Sequence, residues 1–307
     1  MTSIAIITRT VDRPVLLERA LMSILGQTFT GWHWVVVDSG KDDSVLGLIH
    51  AHASRLQGRV THLRFENPRP GMRGIPLNAG IRASHSNLIT LLDDDDTWEP
   101  EFLARMVAAL ETRPHPNARG VVCQTRCIEE TTVEEGLQRL RTYDLNADLF
   151  NLTLGNLAVM NRFCTHAFLY ERAALDTVGL YPEDYPVLED WHFNLRFLQQ
   201  HEILVLPEIL TNYHFRPADN TSSQANSQTA GRSDHKFHEA RLINEALRGD
   251  LLAGKSGIGS LLAQAAISRE IFDTLHRHES RLKTISDKSG KIDARTKELK
   301  DRLIGKG

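Results

Sequence analysis

Asn87-Leu88-Ile89-Thr90-Leu91-Leu92-Asp93-Asp94-Asp95-Asp96 runs from an apolar stretch straight into four aspartates. A short apolar run of this kind reads as a strand covered on both faces. The acids then fall just past its carboxyl end. Working back, Leu77–Ser84 reads as a helix, Val60–Phe65 as a strand and Val45–Gln57 as a helix. Trp34-Val35-Val36-Val37 is another buried strand, turning at Asp38-Ser39-Gly40. Ile4–Ile7 is the first strand. Asp12 and Pro14 open the helix after it, as a capping acid with proline in the first turn. Leu17, Leu21, Ile24 and Leu25 supply that helix's apolar stripe. This β-α-β-α-β order predicts an α/β fold with a mostly parallel central sheet and helices on both faces. Ligands of such sheets bind beyond the carboxyl ends of the strands, where Thr8–Thr10, Asp38-Ser39 and Asp93–Asp96 all fall.

Working forward, Glu101–Leu110 reads as a helix, Gly120–Arg126 as a strand and Leu157–Tyr170 as a stretch of strand pairings. Asp190–Gln200 follows as a helix and Ile203–Leu206 as a strand. The polar Ser/Gln/Asn stretch Thr221–Ser233 reads as a linker or mobile loop. The expected layout is one domain over 1–220 with halves at 1–100 and 101–220, a linker at 221–234, and a helical extension over 235–307. In that extension a heptad places Leu275, Leu282, Ser289, Thr296 and Leu303 at a, and Ile271, Ile285, Ile292 and Leu299 at d. Ser289, Thr296, His278 and Gly290 weaken the seam, so a strong coiled coil is not expected. Residues 281–307 carry nine Lys/Arg against four Asp/Glu. The tail therefore has three readings: packing on the body, homo-oligomerisation, or contact with an anionic membrane surface.

Composition narrows the classes. The 307 residues hold 36 Lys+Arg and 39 Asp+Glu, a net charge of −3, with 41% hydrophobic and 24% charged residues. That balance excludes a disordered chain and a protein that coats nucleic acid. No apolar run approaches the roughly 20 residues of a membrane span. The start lacks the basic n-region and long h-region of a signal peptide, so a cytoplasmic protein is expected, with peripheral contact at the inner face of the membrane as a variant. Cys123, Cys127 and Cys164 cannot all pair and lack zinc-site spacing, which leaves buried thiols in a reducing compartment.

The acid run is the sharpest chemical feature. Two carboxylates ~4 Å apart repel by ~1 kcal/mol in water and ~4 kcal/mol at an effective dielectric of 20. In a cleft that repulsion requires a cation, and oxygen-only ligands point to Mg²⁺ or Mn²⁺ rather than Zn²⁺. A second feature is Glu189-Asp190-Trp191, which opens an apolar helix. Acids there cap the helix through its dipole, and the same position suits a general base; the residues alone leave both readings open. A third is Tyr213-His214-Phe215-Arg216. His214 reads as a structural histidine or a ligand, and Arg69, Arg73 and Arg216 are candidates for a diphosphate.

Together these pieces resemble glycosyltransferase family 2. The resemblance runs in order from Ile6-Ile7-Thr8-Arg9-Thr10-Val11-Asp12-Arg13-Pro14, through Ser23-Ile24-Leu25-Gly26-Gln27-Thr28 and Val36-Val37-Asp38-Ser39-Gly40. It continues with Leu77-Asn78-Ala79-Gly80-Ile81, Leu92-Asp93-Asp94-Asp95-Asp96 and Glu189-Asp190-Trp191, covering residues 1 to about 218. It implies a GT-A fold (Rossmann-like, with the helical extension appended), a nucleoside-diphosphate sugar donor, Mn²⁺ or Mg²⁺, and inversion at the anomeric carbon. The 1–100 half then binds the nucleotide and the 101–220 half the acceptor. By the same resemblance Asp93-x-Asp95 is the DXD motif, with Asp95 the direct metal ligand and Asp94 near the nucleoside. Asp190 is the general base. Thr8, Arg9, Thr10, Asp38 and Ser39 form the nucleoside pocket, joined by Arg73 and Asn78. His214 adds a metal or diphosphate contact, and His166, Glu189 and Trp191 line the donor-sugar or acceptor site. Three departures stand out: Ser39 where the family usually has a second Asp, Leu77 where an Arg often precedes Asn78, and Val11-Asp12 in place of Tyr-Asn.

The expected reaction is a metal-dependent single displacement onto a hydroxyl of a carbohydrate or lipid-linked glycan, as in bacterial surface polysaccharide synthesis. No nucleic-acid partner is expected. A sugar-nucleotide nucleotidylyltransferase would need a glycine-rich cradle after the first strand, and Thr8-Arg9-Thr10-Val11 has no glycine. A non-catalytic sugar- or metal-binding module with an assembly tail is the other alternative, and the intact Glu189-Asp190 counts against it.

Overall fold

A computed structural model describes residues 2–133, 136–217 and 232–304. It divides into two compact units, Met1–Ala240 and Arg241–Gly307. In the first unit β1 (Ile4–Thr10), α1 (Pro14–Leu25), β2 (Trp32–Asp38), α2 (Ser44–Ala51), α3 (Ala53–Leu56), β3 (Val60–Arg64), α4 (Gly74–Arg82) and β4 (Leu88–Leu91) follow in turn. Then come β5 (Thr97–Trp98), α5 (Phe102–Glu111), β6 (Ala118–Val133), β7 (Gly136–Asp144), α6 (Leu154–Val159), β8 (Phe168–Glu171), α7 (Leu175–Val178), α8 (Glu189–Gln200) and β9 (Glu202–Phe215). The described strands form a nine-stranded sheet in the order β3-β2-β1-β4-β8-β6-β9-β5, with β7 paired to β6.

Both faces of the early strands are covered, which is why they are apolar runs and not alternating ones. Ile4, Ile6, Trp34 and Val36 pack with Leu17, Leu21 and Ile24 of α1 and Phe102 and Met106 of α5. Ile7 and Val37 point the other way, onto α4, so close that a Cβ on Gly80 would lie 2.5 Å from Ile7 Cγ2. Each fully buried Ile, Leu or Phe contributes about 1.5–3 kcal/mol to this core.

The sheet is less parallel than the sequence predicts. β3, β2, β1 and β4 are parallel, but β8 is antiparallel to both β4 and β6. β6 and β9 are again parallel, while β5 and β7 pair antiparallel with β9 and β6. Both long strands exceed their predicted limits. β9 continues past Pro207, and the register against β6 jumps from Cys123↔Leu206 to Gln124↔Ile209. Proline cannot donate to the ladder, so it is absorbed in a bulge and the strand resumes. Leu157–Tyr170 is not a set of strand pairings. Its start belongs to α6, set by a reciprocal capping box between Thr153 and Asn156, and only Phe168–Glu171 is strand. Asp12 does not cap α1 either: Arg13 holds the cap position, and Asp12, at φ +52°, accepts the Lys41 backbone N–H at 2.9 Å. It thereby ties the loop after β1 to the loop after β2. The three cysteines are free, Cys123 and Cys127 buried.

The start of α4 is packed against the loop before α8. A Cβ at Gly74 would lie 2.0 Å from the Pro182 backbone carbonyl oxygen. Asn78 locks the same junction, donating to Tyr181 O (2.8 Å) and Glu183 Oε1 (2.9 Å) and accepting from Tyr181 N (3.0 Å). Gly74→Ala is expected to cost about 1–3 kcal/mol or more, because backbone and not a flexible side chain must yield. A thermal melt that matched the parent protein would contradict this packing.

In the chain's last part α9 (Arg232–Leu252) is followed by α10 (Ile258–Ile304), a 47-residue helix. Of the predicted linker, Arg232 and Ser233 open α9 and residues 221–231 lie outside the described residues. Ile271, Leu275, Leu282, Ile285 and Ile292 are exposed along α10. Thr296 is exposed, its hydroxyl donating to Ile292 O at 2.8 Å, and the side chains at 299 and 303 lie outside the described residues.

Candidate active site

Five strand ends converge at one edge of the sheet. β1 brings Arg9 and Thr10, β2 brings Asp38, β4 leads into Asp93–Asp96, and the parallel ends of β6 and β9 bring Glu130 and His214. Two cavities meet there. The larger, ≈ 1020 Å³, is lined by Arg9, Thr10, Arg13, Ser39, Arg64, Arg73 and all four aspartates, among others. The smaller, ≈ 360 Å³, is lined by Asn161, Thr165, His166, Glu189 and Asp190, among others. Arg9, Arg73, Asp93, Asp96 and Tyr213 line both.

The residues expected at the nucleoside divide into wall and framework. Arg9, Thr10, Ser39, Arg73 and Asp94 line the large cavity. The Ser39 hydroxyl oxygen is buried with no hydrogen-bond partner, a polar group available to a ligand. Thr8, Asp38 and Asn78 are not in the wall. Thr8 Oγ1 accepts the Trp34 indole N–H at 3.0 Å. Asp38, fully buried, accepts from Gly40 N (2.8 Å), His62 Nε2 (2.9 Å) and Arg64 Nη1 (2.7 Å). Asn78 holds the α4 junction described above. Arg69 does not line the cavity, whereas Arg73 lines both.

Each aspartate of the run has its own partners. Asp93 accepts from Arg9 Nη2 at 3.2 Å, and the same guanidinium donates to Glu189 Oε1 at 2.9 Å. Burial works against the Arg9 cation, but Asp93 and Glu189 outweigh it and raise its pKa. Asp94 accepts from Thr10 Oγ1 (2.7 Å) and Arg13 Nη1 (3.3 Å), with burial still raising its pKa. Asp95 is paired with Arg216 and lies 3.6 Å from Arg13 Nη1. Burial and the neighbouring Asp96 and Asp94 carboxylates push it up to about 7. Asp96 accepts the His214 backbone N–H at 2.9 Å and lies 2.8 Å from His166 Nδ1. Burial alone would raise Asp96 and lower His166, yet their pairing reverses both shifts.

Asp93, Asp96 and His166 are the one group, among the described residues, whose ligand atoms all lie within 4.8 Å of one another. Two carboxylates and an imidazole suit a divalent ion, and His166 Nε2 is buried without a hydrogen-bond partner. The expected ligands Asp95 and His214 are not in that group. The His214 ring lies between Glu130 Oε2 (3.1 Å) and Thr97 Oγ1 (3.0 Å).

Asp190 stands in the wall of the small cavity at the start of α8. Its Oδ2 accepts from Asn161 Nδ2 (2.9 Å) and Thr165 Oγ1 (3.0 Å), and its Oδ1 from the Trp191 backbone N–H (2.7 Å). Burial, then the Glu189 carboxylate, push its pKa up to about 6 against these donors. Glu189 turns toward Arg9, and Trp191 is buried with its indole N–H on Leu157 O at 2.7 Å, outside both cavities. Arg13, Arg19, Glu130 and Asn161 were missed in the sequence. Arg13 lies in the stretch Ile6–Pro14, where nothing sets it apart; the other three sit in no motif, and Glu130 lies beyond the predicted end of its strand.

Residues 3–179, more than half of the chain, match glycosyl transferase family 2. A PGL/p-HBAD biosynthesis glycosyltransferase of Mycobacterium bovis (strain BCG / Pasteur 1173P2) is 28% identical over 213 residues, 68% of this chain and 72% of the relative. S. aureus TarS 1–349 superposes with a TM-score of 0.56 at 18% identity, over 69% of this chain but only 60% of that structure's length. Its complex with UDP-GlcNAc gives 0.57 at 18% identity, over 81% and 73%. Mannosyltransferase PcManGT from Pyrobaculum calidifontis, in complex with GDP-Man and Mn²⁺, gives 0.57 at 16% identity, over 80% and 64%. These structures carry the fold, which is GT-A. With the acid run at the end of β4 and the matched residues 3–179, the chain belongs to glycosyl transferase family 2.

Proposed function

We propose that the chain moves a sugar from a nucleoside diphosphate in the large cavity to a hydroxyl group in the small one, with inversion. The observation that carries this reading is Asp190: a half-buried carboxylate with a pKa of about 6, held by three donors, in a cavity that meets the donor cleft at Asp93 and Asp96. A base of that pKa is ionised at pH 7 and more basic than a free aspartate. The acceptor oxygen bonds to the anomeric carbon as its proton passes to Asp190. The bond from that carbon to the diphosphate breaks, and the nucleoside diphosphate leaves with the electron pair. Arg9, Arg13 and Arg73 line the cleft where the leaving charge develops. Asp93, Asp96 and His166 would hold Mn²⁺ or Mg²⁺, which supplies Lewis-acid stabilisation of the diphosphate when bound. The nucleotide-sugar complexes of TarS and PcManGT, the latter with Mn²⁺, support such a donor and such an ion. The mycobacterial relative is named for glycosyl transfer in a biosynthesis, which supports a biosynthetic acceptor, a carbohydrate or lipid-linked glycan. The test is release of nucleoside diphosphate from a panel of UDP-, GDP- and dTDP-sugars, with and without Mn²⁺. No release from any of them, and none stimulated by glycan or lipid-linked acceptors, would defeat the reading.

No described helix is long and apolar enough to cross a membrane. We place the reaction in the cytoplasm, and we propose that α10 pairs in parallel with α10 of a second copy. Ile271, Leu275, Leu282, Ile285 and Ile292 would form the seam. Parallel pairing sets Lys288 opposite Asp293 of the other copy, whereas antiparallel pairing sets Arg281 and Lys288 against their like. Sedimentation should give a dimer, converted to monomer by Leu282→Asp with Ile285→Asp; a monomeric parent protein would end this proposal.

A further inference from the structure

Both ends of the segment 145–160 line the small cavity, Leu145 at one and Met160 at the other. Along it run two sets of apolar side chains. Leu149, Leu152 and Leu157 are buried, whereas Leu145, Phe150, Leu154, Val159 and Met160 are exposed, Phe150 by 68% and Val159 by 76%. The segment is tied down from below. Asn146 Oδ1 accepts the Thr125 backbone N–H at 2.7 Å, and Gln124 Nε2 donates to Ala147 O and Leu149 O at 3.0 and 3.2 Å. The Trp191 indole N–H holds Leu157 O in the same way. The inner leucines and these bonds seat the segment, so folding does not call for the outer set. One exposed leucine carries no information, but apolar side chains gathered on one segment at a cavity mark a contact surface.

The cavity beside them is polar. Asn161 Nδ2 and Thr165 Oγ1 both donate to Asp190 Oδ2. Met160 directly precedes Asn161, so an exposed apolar side chain stands one residue from a partner of the proposed base. A few polar groups next to an apolar lip suit a ligand that is sugar at one end and hydrocarbon at the other. Because Leu145 and Met160 belong to the lip and to the cavity wall alike, a ligand lodged in the cavity meets them.

We propose that the acceptor is an alkyl glycoside in chemical class: its sugar sits in the small cavity, and its own hydrocarbon chain lies over Leu145, Met160 and Val159. This rests on the reading that the small cavity takes the acceptor, and it adds that recognition extends past the sugar to the chain attached to it.

The probes are methyl and octyl glycosides of glucose, galactose, mannose and rhamnose, titrated into the full-length protein by calorimetry, with the octyl forms kept below micelle formation. For at least one sugar the octyl form should bind about ten- to hundredfold more tightly than the methyl form, the gain from about two or three methylenes leaving water. Leu145→Ser combined with Met160→Ser should erase that gain; both side chains are exposed, so the fold should survive. Val15→Ser, at an exposed apolar residue of α1 that lines neither cavity, should leave the gain intact. No preference for octyl over methyl with any of the four sugars overturns the proposal, as does a preference that survives the double serine variant. It is equally overturned if the double variant keeps the octyl gain but releases the protein from anionic phospholipid vesicles or splits a dimer, since the lip would then be a membrane face or a subunit contact. Release of nucleoside diphosphate is measured separately. An octyl gain without any transfer would defeat the proposed reaction and leave an alkyl-glycoside site, whereas transfer without an octyl gain would defeat this inference alone.

Discussion

Asp190→Asn is expected to lower kcat by about 10²–10⁴-fold, the range for losing a general base, with donor binding unchanged. Asparagine keeps the shape and its one oxygen can still accept from Trp191 N–H, but it cannot take the acceptor proton. Glu189→Gln should be milder, because Glu189 answers to Arg9 and not to the acceptor. Near-parental turnover by Asp190→Asn would mean that the base lies elsewhere.

The pH dependence has a definite sign. The working form of Asp190 is ionised, so kcat/KM should climb through pH 6 and level off above it. Thr165→Val removes a donor to the ionised form and should move this limb to higher pH. Stability runs the opposite way. The folded pKa is raised above that of a free aspartate, so the folded protein carries the cost of the partly desolvated charge at pH 7 and is relieved of it as the pH falls through 6. Asp190→Asn should accordingly melt higher than the parent near neutral pH, and the gap should close in acid. A base whose replacement stabilises the fold is retained for chemistry.

Asp93→Ala is the second change with a large expected effect. Asp93 lines both cavities, belongs to the group of side chains that could hold a divalent ion, and pairs with Arg9. Turnover should fall by about 10²-fold or more, the several kcal/mol that a Lewis acid supplies at a departing phosphate. Chelation of the parent protein should produce the same loss, restored by Mn²⁺ titration, while Asp93→Ala should no longer respond to the ion. Full activity in excess chelator would remove the metal from the mechanism.

Local pattern carried the reader a long way toward this site. Ile4–Ile7, Trp34–Val37 and Leu88–Leu91 are strands because runs covered on both faces must be continuously apolar. Their polar successors therefore had to fall at the ligand edge of the sheet. At the head of α8 local pattern leaves capping and base catalysis both open for Asp190, and its role as base comes from the family resemblance. Thr8, Asp38, Asn78 and Trp191, which the resemblance assigns to the site, sit in motifs but face inward, to Trp34, to His62 and Arg64, to Tyr181 and to Leu157. A motif names a position along the chain, and side-chain direction is set by what packs against it.

The amino-acid sequence by itself determined the strand-and-helix rhythm of the first hundred residues and the edge at which acids gather. Each follows from interactions within a few turns: apolar periodicity, capping and charge at strand ends. Which acid meets which cation was decided only in three dimensions. Asp95 and Arg216 are 121 residues apart, Arg19 and Glu130 are 111, and Thr10 and Asp94 are 84. No local rule couples such positions. Thr10 meets Asp94 because β1 pairs with β4, and the other two pairs form because β6 and β9 run on, in parallel, past the ends that their own residues predict. Burial at that sheet edge then makes an unpaired charge too costly to leave, so every carboxylate brought there is matched to whatever guanidinium, imidazole or ion the fold delivers.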